Sequence, residues 1–205
     1  VYDPIPGGVV GTVEGSGTIT CVVSHGSTGE KGLLTAAHLA DRCTDDIVGD
    51  EFYQEDLGGT NVGNISVANA AKDWMISDIQ SRDWKDYIRL ENSNEVPVKG
   101  WVNNNGLDSY VGSKTVEKMG KSTGHTTGEL NKISISGTDT NCTNWEGEGV
   151  ETKCAVAGGD SGGPIYIISN GKAYLVAILQ QGQWEKTFDS TCNGNVIYNR
   201  GQGYQ

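Results

Sequence analysis

A serine enclosed by glycines is the residue of this sequence best suited to nucleophilic chemistry. Residues 158–164 read Gly-Gly-Asp-Ser-Gly-Gly-Pro, with Ser161 at the centre. A serine hydroxyl is a weak nucleophile unless a base removes its proton. Glycines permit a tight turn that would aim the amides of Gly159 and Ser161 at one point, where they could stabilise an oxyanion. Taken alone, the segment fits a glycine-rich turn around a passive serine equally well.

His38 is the candidate base. It follows residues 33–37, Leu-Leu-Thr-Ala-Ala, so the end of an apolar strand would hold its ring near the surface. Imidazole is the usual general base at neutral pH because its unperturbed pKa is about 6.5. A histidine considered by itself is more often a structural residue. A bridge between Cys21 and Cys43 would pin the histidine turn to a neighbouring strand.

A carboxylate should orient the histidine and stabilise its charged form. Asp73 directly precedes the apolar run Trp74-Met75-Ile76, which places it at the mouth of a strand where it can be half-buried. Asp78 is the competitor, and residue order favours Asp73. Either aspartate could instead be a solvated surface residue.

The elements that must position these groups are predicted to be strands. The chain has 30 glycines and only 4 prolines, and its short apolar runs lie between glycines. This pattern predicts many tight turns and an all-β fold, with a single helical turn at residues 36–41. Residues 91–106 are rich in Asn, Gly and Glu, so we place the boundary between two halves there, at 1–95 and 96–205. Two β halves would enclose a cleft at their junction.

Composition excludes several classes of protein. The 205 residues carry a formal charge of −11, which disfavours nucleic-acid binding because phosphates would be repelled. The longest apolar runs are far too short to span a membrane. No leader of basic, apolar and small residues opens the chain, so we expect a cytosolic protein or a processed mature form. The acidic stretch 45–56 does not match an EF-hand loop, so we expect a solvated surface there, with a structural calcium site as the less favoured alternative, and no other metal and no cofactor.

The five cysteines indicate an oxidising compartment. None forms a CxxC pair, which argues against a structural zinc site, and the wide spacing suits disulfides that close long loops. An odd number leaves at least one thiol unpaired or paired between chains.

In combination these motifs resemble the chymotrypsin-like serine proteases. The resemblance rests on LTAAH followed by cysteine, a middle DWMIS, and GGDSGGP, in the order His, Asp, Ser. The short bacterial streptogrisin and α-lytic branch is the most similar. Residues 119–128, the Cys154-Ala155-Val156 lead and the closing Thr191-Cys192 segment resemble that branch, so the likeness spans nearly the whole chain.

The resemblance implies two packed antiparallel β-barrels with the active site in the cleft between them. His38 would be the general base, Asp73 the orienting carboxylate and Ser161 the nucleophile, with an oxyanion hole formed by the Gly159 and Ser161 amides. Cys21–Cys43 and Cys154–Cys192 would be the disulfides, leaving Cys142 as the odd thiol. A Cys142–Cys154 bridge is the alternative.

The resemblance also places the primary substrate pocket. The matching positions are Ala155, Val156, Leu179, Gln180, Gln181 and Gly182. None of these residues is acidic, which argues against selection of lysine or arginine. The resembling branch sometimes has a histidine at the position of Leu179, and the leucine here argues against selection of glutamate. We therefore expect cleavage after apolar or small residues. The two glutamines depart from the family pattern, so backbone pairing with substrate would differ in detail.

Asp160 would be buried beside the nucleophile, and a buried carboxylate needs a partner. In the resembling bacterial branch an internal arginine fills that role, and Lys118 holds the comparable place here. We prefer Lys118 to the amine of Val1. His125, in the 119–128 stretch, is a candidate for substrate contact.

The predicted function is a secreted serine endopeptidase, made as a zymogen and acting as a monomer on polypeptides. The main alternative is a catalytically silent relative that acts as a binding module. An α/β-hydrolase is rejected because no histidine follows Ser161 and Pro164 opposes a helix after it.

Overall fold

A computed structural model describes most of the chain. The described residues are 2–25, 29–40, 45–55, 59–80, 82–102, 104–138, 144–182, 186–188, 196–198 and 201–204. No helix among them is long and apolar enough to cross a membrane.

The first half of the chain builds a seven-stranded antiparallel sheet, which we call the N-terminal sheet. Its strands are β2 (Val10–Thr12), β3 (Ser16–Thr18), β4 (Cys21–His25), β5 (Glu30–Thr35), β6 (Glu51–Gln54), β7 (Thr60–Asn69) and β8 (Trp74–Asp78). They lie side by side in the order β3-β2-β6-β7-β8-β5-β4. Short 3₁₀ turns at Ala37–Ala40, Asp45–Ile47 and Ala70–Lys72 connect them.

The second half of the chain, together with two strands of the first half, builds a nine-stranded sheet that we call the C-terminal sheet. The two strands from the first half are β1 (Ile5–Gly7) and β9 (Trp84–Arg89). The others are β10 (Glu95–Trp101), β11 (Thr115–Gly120), β12 (Gly124–Thr138), β13 (Asn144–Thr152), β15 (Pro164–Ser169), β16 (Lys172–Gly182) and β19 (Gly201–Tyr204). The strand order is β1-β9-β10-β16-β15-β11-β12-β13-β19. A small sheet joins β14 (Val156–Ala157), β18 (Val196–Tyr198) and β17 (Lys186–Phe188). The helical segments of this half are Glu91–Ser93, α1 (Asn104–Leu107) and Asp108–Tyr110.

Each half has its own apolar core. One cluster centres on Leu33, Phe52 and Met75, and the other on Leu130, Ile165 and Leu179. Ile178 of β16 packs in the first cluster although its neighbour Leu179 packs in the second, because successive side chains of a strand point to opposite faces. Strand β16 is therefore the wall between the two cores.

The predicted all-β, two-barrel fold is confirmed, as is the helical turn after the strand that ends at Thr35. The predicted boundary between residues 95 and 96 falls at the start of β10, which pairs with β9 from the preceding half. The division of the chain at that point stays a prediction.

Candidate active site

His38 and Asp73 lie together where two adjacent inner strands of the N-terminal sheet meet the loops at one end of the sheet. His38 sits in the 3₁₀ turn that follows β5, and Asp73 directly precedes β8, the antiparallel neighbour of β5. The Asp73 Oδ2 atom lies 2.7 Å from His38 Nδ1, and Asp73 Oδ1 accepts the His38 backbone N–H at 2.7 Å. This two-point contact fixes both the backbone and the ring of the histidine relative to one carboxylate.

The backbone of Asp73 is fixed as well, which restricts where its carboxylate can lie. Asp73 closes the 3₁₀ turn at residues 70–72 with a φ of 51°, and its N–H donates to Ala70 O at 3.2 Å. Its side chain is 1% exposed, whereas that of His38 is 17% exposed. Because a carboxylate accepts hydrogen bonds, the Nδ1 atom of His38 carries the proton and Nε2 keeps a lone pair that can take one.

The competing aspartate lies elsewhere. Asp78 is at the far end of β8, and its Oδ1 lies 3.3 Å from His25 Nε2. The Asp78 side chain is 42% exposed, so solvent reaches its carboxylate in the pair with His25. Of the two candidates, the structure brings Asp73 to His38.

Ser161 lies in a tight turn over residues 158–163, which we call the serine turn. Gly159 and Gly162 have φ values of 94° and 82°, a region that favours glycine. Gly162 also has no room for a side chain, because a Cβ there would lie 2.3 Å from Thr18 O. Glycine is therefore required by the backbone path at positions 159 and 162, on either side of Asp160 and Ser161.

Two threonines of the N-terminal half donate hydrogen bonds to backbone carbonyl groups of the serine turn. Thr18 N donates to Ser161 O at 2.7 Å, and Thr18 Oγ1 donates to Gly159 O at 3.0 Å. Thr20 Oγ1 donates to Gly162 O at 2.5 Å. Both threonines are buried, so these bonds form away from solvent. Sequence reasoning missed them, since a buried threonine in a strand has no distinctive signature.

The amides of the serine turn have the arrangement expected of an oxyanion site. Within the described residues, the N–H groups of Gly159 and Ser161 make no hydrogen bond, whereas those of Asp160, Gly162 and Gly163 donate to carbonyl oxygens. Two amides left unused in an otherwise bonded turn can bind a developing negative charge.

Asp160 points away from the cleft into the protein. Its carboxylate is 3.0 Å from Lys118 Nζ, and both side chains are 0% exposed. The same carboxylate accepts the backbone N–H groups of Ser122 at 2.7 Å, Thr123 at 3.1 Å and Ala157 at 3.0 Å. Lys118 also donates to Gly124 O at 3.1 Å. The predicted Lys118–Asp160 pair is thus present, and Val1, the other candidate partner, lies outside the described residues.

Ser161 and His38 line one cavity from opposite halves of the chain. The Ser161 hydroxyl donates to Gln180 O at 3.4 Å, a long bond that leaves the hydroxyl only weakly held. Contacts between nucleophile and base are often looser in an enzyme without substrate than in its complex.

The structure places the predicted substrate-pocket residues around the end of β16 and the start of β14. Val156 and Leu179 are buried in the C-terminal apolar cluster, and Ala155 O accepts Thr126 Oγ1 at 2.9 Å. Gln180 is 4% exposed, and both polar atoms of its side chain are buried without a hydrogen-bond partner in the described structure. Gln181 and Gly182 continue β16. The role of these residues as a substrate pocket stays a prediction.

The disulfide predictions depend on residues that the structure does not describe. Cys21 and Cys154 are buried, and burial raises the pKa of the Cys21 thiol to about 12 and that of Cys154 to about 11. Cys43, Cys192 and the alternative partner Cys142 lie outside the described residues, so all three pairings stay predictions.

Two remaining candidates fall outside the cleft. His125 Nε2 lies 2.8 Å from Glu117 Oε2, a partly exposed pair on the β11–β12 hairpin. The acidic stretch is described for residues 45–55 only, and no group of metal-binding side chains occurs among the residues that the structure describes. The expectation that the protein binds no metal stays a prediction.

The fold matches solved bacterial serine proteases over nearly its full length. Thermobifida fusca protease A is 19% identical, with 96% of this chain and 91% of that chain covered and a TM-score of 0.66. A Nocardiopsis protease is 18% identical, with 98% of this chain and 92% of that chain covered and a TM-score of 0.69. A third structure is a glutamic acid-specific serine protease described as using a histidine triad in substrate binding. It is 17% identical, with 98% of this chain and 92% of that chain covered and a TM-score of 0.72.

These likenesses establish the fold, which is that of the bacterial chymotrypsin-like serine proteases, as the sequence resemblance predicted. No protein-family model and no curated protein sequence matches the chain.

Proposed function

We propose that this protein is a serine endopeptidase with the triad His38, Asp73 and Ser161. The observation that carries the proposal is the pair of hydrogen bonds that Asp73 accepts from the backbone N–H and the ring of His38, each at 2.7 Å, beside a serine whose turn keeps two amides unused. A buried carboxylate that fixes a half-buried imidazole near a serine is what general-base activation of a hydroxyl requires.

The chemistry follows from the positions of the protons. His38 Nε2 takes the proton of Ser161 Oγ as that oxygen attacks the peptide carbonyl, and Asp73 stabilises the imidazolium that results. The Gly159 and Ser161 amides donate hydrogen bonds to the oxyanion of the tetrahedral intermediate, a contribution of about 3 kcal/mol for each donor. His38 then gives its proton to the leaving amine, and the same steps with water release the acyl group.

The Lys118–Asp160 pair supports this geometry from behind, because a buried ion pair fixes the serine turn from inside the protein. The long 3.4 Å bond from the Ser161 hydroxyl to Gln180 O would have to be exchanged for a bond to His38 Nε2 during attack. Because Lys118 comes from the same chain and not from a new amino terminus, assembly of the turn would not require cleavage to expose an amine.

The finer parts of the proposal rest on the sequence. The residues at the predicted pocket are apolar or neutral, which favours cleavage after apolar or small residues. Secretion is part of the proposal, since widely spaced cysteines suit an oxidising compartment. Synthesis as a zymogen and action as a monomer are taken from the family resemblance.

The alternative function is a silent binding module of the same fold. Such relatives usually lack the serine or the histidine, and both are present here. The Asp73–His38 contact favours the enzyme, because a binding module has no need to orient an imidazole.

A fluorophosphonate probe tests the proposal directly. We expect one adduct, located on Ser161 by peptide mapping, and no adduct in His38→Ala, because the hydroxyl needs its base. His125→Ala is the matched control and should label as the parent does, since His125 pairs with Glu117 away from the cleft. A folded parent protein that takes no label would reject the enzyme and favour the binding module.

A further inference from the structure

Another cavity, of about 590 Å³, lies apart from the candidate active site, and we call it the Arg89 cavity. It has about twice the volume of the cavity that Ser161 and His38 line, and neither of those residues lines it. Sites for small molecules usually have volumes of about 300–1,000 Å³. Three parts of the chain form the Arg89 cavity: residues 2 and 8–10, residues 89–91 with 93, and the turn between β11 and β12 at residues 119–124.

The walls of the Arg89 cavity are fixed by backbone contacts. Gly8 has a φ of 78°, and a Cβ there would lie 2.8 Å from Arg89 O, so glycine allows the first two walls to meet. Gly8 N donates to Ile19 O at 2.7 Å. In the third wall, Ser122 N donates to Asp160 Oδ1 at 2.7 Å. The shape of the cavity is therefore set by the fold, as it is in most ligand sites.

Arg89 has no carboxylate partner among the residues that the structure describes. Its guanidinium lies 4.4 Å from the centre of the Tyr2 ring, and its Nη2 donates to Ser93 Oγ at 3.0 Å. These two contacts orient the guanidinium and leave further N–H donors for a ligand. The chain has 26 acidic and 15 basic residues, so an arginine without a carboxylate is unexpected from the charge balance. Arg89 is thus positioned to bind an anion that the chain itself does not supply.

The other two charged residues that line the cavity are directed elsewhere. Glu91 Oε1 accepts the backbone N–H of His125 at 3.3 Å, which holds that carboxylate against the turn at the start of β12. Lys121 Nζ donates to Ser16 Oγ at 2.7 Å, away from the second wall. The charges of Glu91 and Lys121 are opposite, so Arg89 gives the lining its net positive charge.

The remaining lining favours an apolar ligand. The hydroxyls of Ser122 and Thr123 already donate to groups of the serine turn. An apolar surface with one oriented charge suits a ligand that has an apolar body and a single anionic group. A guanidinium binds both oxygens of a carboxylate, whereas a phosphate carries more charge than this lining balances. The half-buried apolar side chains of the lining are those of Tyr2, Val10, Leu90 and Met119.

We propose that the Arg89 cavity binds a small apolar carboxylate, with the carboxylate on the Arg89 guanidinium and the apolar group against Leu90 and Met119. This chemistry has two sources, which are a free apolar acid and the C-terminal residue of a peptide. The site does not depend on the proposed catalysis, because none of the three residues of the triad lines it.

The two methionines of the chain provide a direct readout of binding. Met119 lines the cavity, whereas Met75 is 0% exposed in the core of the N-terminal half. Methionine labelled with ¹³C at its methyl group therefore gives one NMR signal from the cavity and one internal control, and Met75→Leu assigns the two. The probes are N-acetylphenylalanine, its neutral amide, hydrocinnamate and inorganic phosphate. An aromatic ring bound in the cavity shifts the Met119 signal through its ring current.

In the parent protein we expect N-acetylphenylalanine to shift the Met119 signal with a Kd of about 1 mM, and the amide to bind about tenfold more weakly. In Arg89→Gln the acid should bind no more tightly than the amide. Lys114→Gln is the matched control and should keep the preference, because Lys114 also lies over a tyrosine ring, that of Tyr110 at 5.7 Å, but does not line the cavity. An unchanged Met75 signal shows that each variant is folded.

Equal affinity for the acid and the amide would overturn the proposal, as would a preference that survives in Arg89→Gln. A Met119 signal that does not respond to the acid at about ten times the expected Kd would also overturn it. Inorganic phosphate that displaces the acid at an equal concentration would replace the apolar carboxylate with a simple anion. Hydrocinnamate, which lacks the acetylamino group, separates the two sources. Tighter binding of N-acetylphenylalanine would support a peptide C-terminus as the ligand, and tighter binding of hydrocinnamate would support a free acid.

Discussion

The two buried aspartates near Ser161 and His38, Asp73 and Asp160, are alike in burial but face different partners. Asp73 is 1% exposed and faces an imidazole that is 17% exposed. Asp160 is 0% exposed and faces an ammonium that is also 0% exposed. An imidazole at the cleft can exchange its proton with a substrate, whereas the ammonium is enclosed. The partner, and not the carboxylate, decides whether the pair moves protons or holds the fold.

Replacing Asp73 should produce the largest effect on activity. In Asp73→Asn the amide can present N–H to His38 Nδ1, which then holds the wrong tautomer and leaves Nε2 protonated. We expect kcat on a peptide substrate to fall by about 10⁴-fold, with little change in Tm.

Asp78→Asn is the control for Asp73, because Asp78 pairs with His25 at 3.3 Å and is 42% exposed. It should keep kcat near that of the parent. A fall of less than about 10²-fold in Asp73→Asn would mean that the carboxylate does not orient the base.

Replacing Lys118 should produce the largest effect on stability. Lys118→Met leaves the Asp160 carboxylate buried without its counter-charge, and we expect the free energy of unfolding in urea to fall by about 3–5 kcal/mol. Activity should fall too, because the serine turn loses its support.

Two variants sharpen the result for Lys118. Lys153→Met removes one member of an exposed pair, Lys153–Glu129 at 3.1 Å, and should cost less than about 1 kcal/mol. Lys118→Met with Asp160→Asn leaves no buried charge and should recover part of the loss. If Lys118→Met were as stable as Lys153→Met, the buried pair would not hold the turn.

The smallest effect is expected at a second, more exposed histidine–carboxylate pair. Glu117 and His125 approach to 2.8 Å, against 2.7 Å for Asp73 and His38, yet they are 22% and 31% exposed. Glu117→Gln should change the free energy of unfolding by less than about 1 kcal/mol and leave kcat/KM unchanged. A clear fall in kcat/KM would instead give His125 the substrate contact that the sequence suggested.

The residues that the sequence identified are those whose neighbours restrict them. Ser161 could be found because its turn needs glycine at positions of positive φ, and glycine is visible in a sequence. His38 and Asp73 could be found because each lies at the end of an apolar run that is a strand. Lys118 was placed by family resemblance, and the structure shows its pairing with Asp160.

The parts that the sequence could not predict depend on distant pairing. Strand β13 has the sequence Asn-Trp-Glu-Gly-Glu-Gly-Val-Glu-Thr, which lacks the apolar alternation of a half-buried strand. It is extended because β12 and β19 pair with it on either side. Strand β19, Gly-Gln-Gly-Tyr, likewise gains its conformation from pairing with β13 and β16.

If the protein is the proposed enzyme, the threonine bonds to the serine turn make the two halves of the molecule inseparable for its activity. Thr18 and Thr20 reach across to the carbonyls of Ser161, Gly159 and Gly162. A fragment that carried only the second half would possess the nucleophile and its oxyanion amides but lack the donors that set their direction. Duplication or exchange of one half among related proteins would consequently have to preserve this seam, which makes the seam a constraint on how such an enzyme can evolve by recombination.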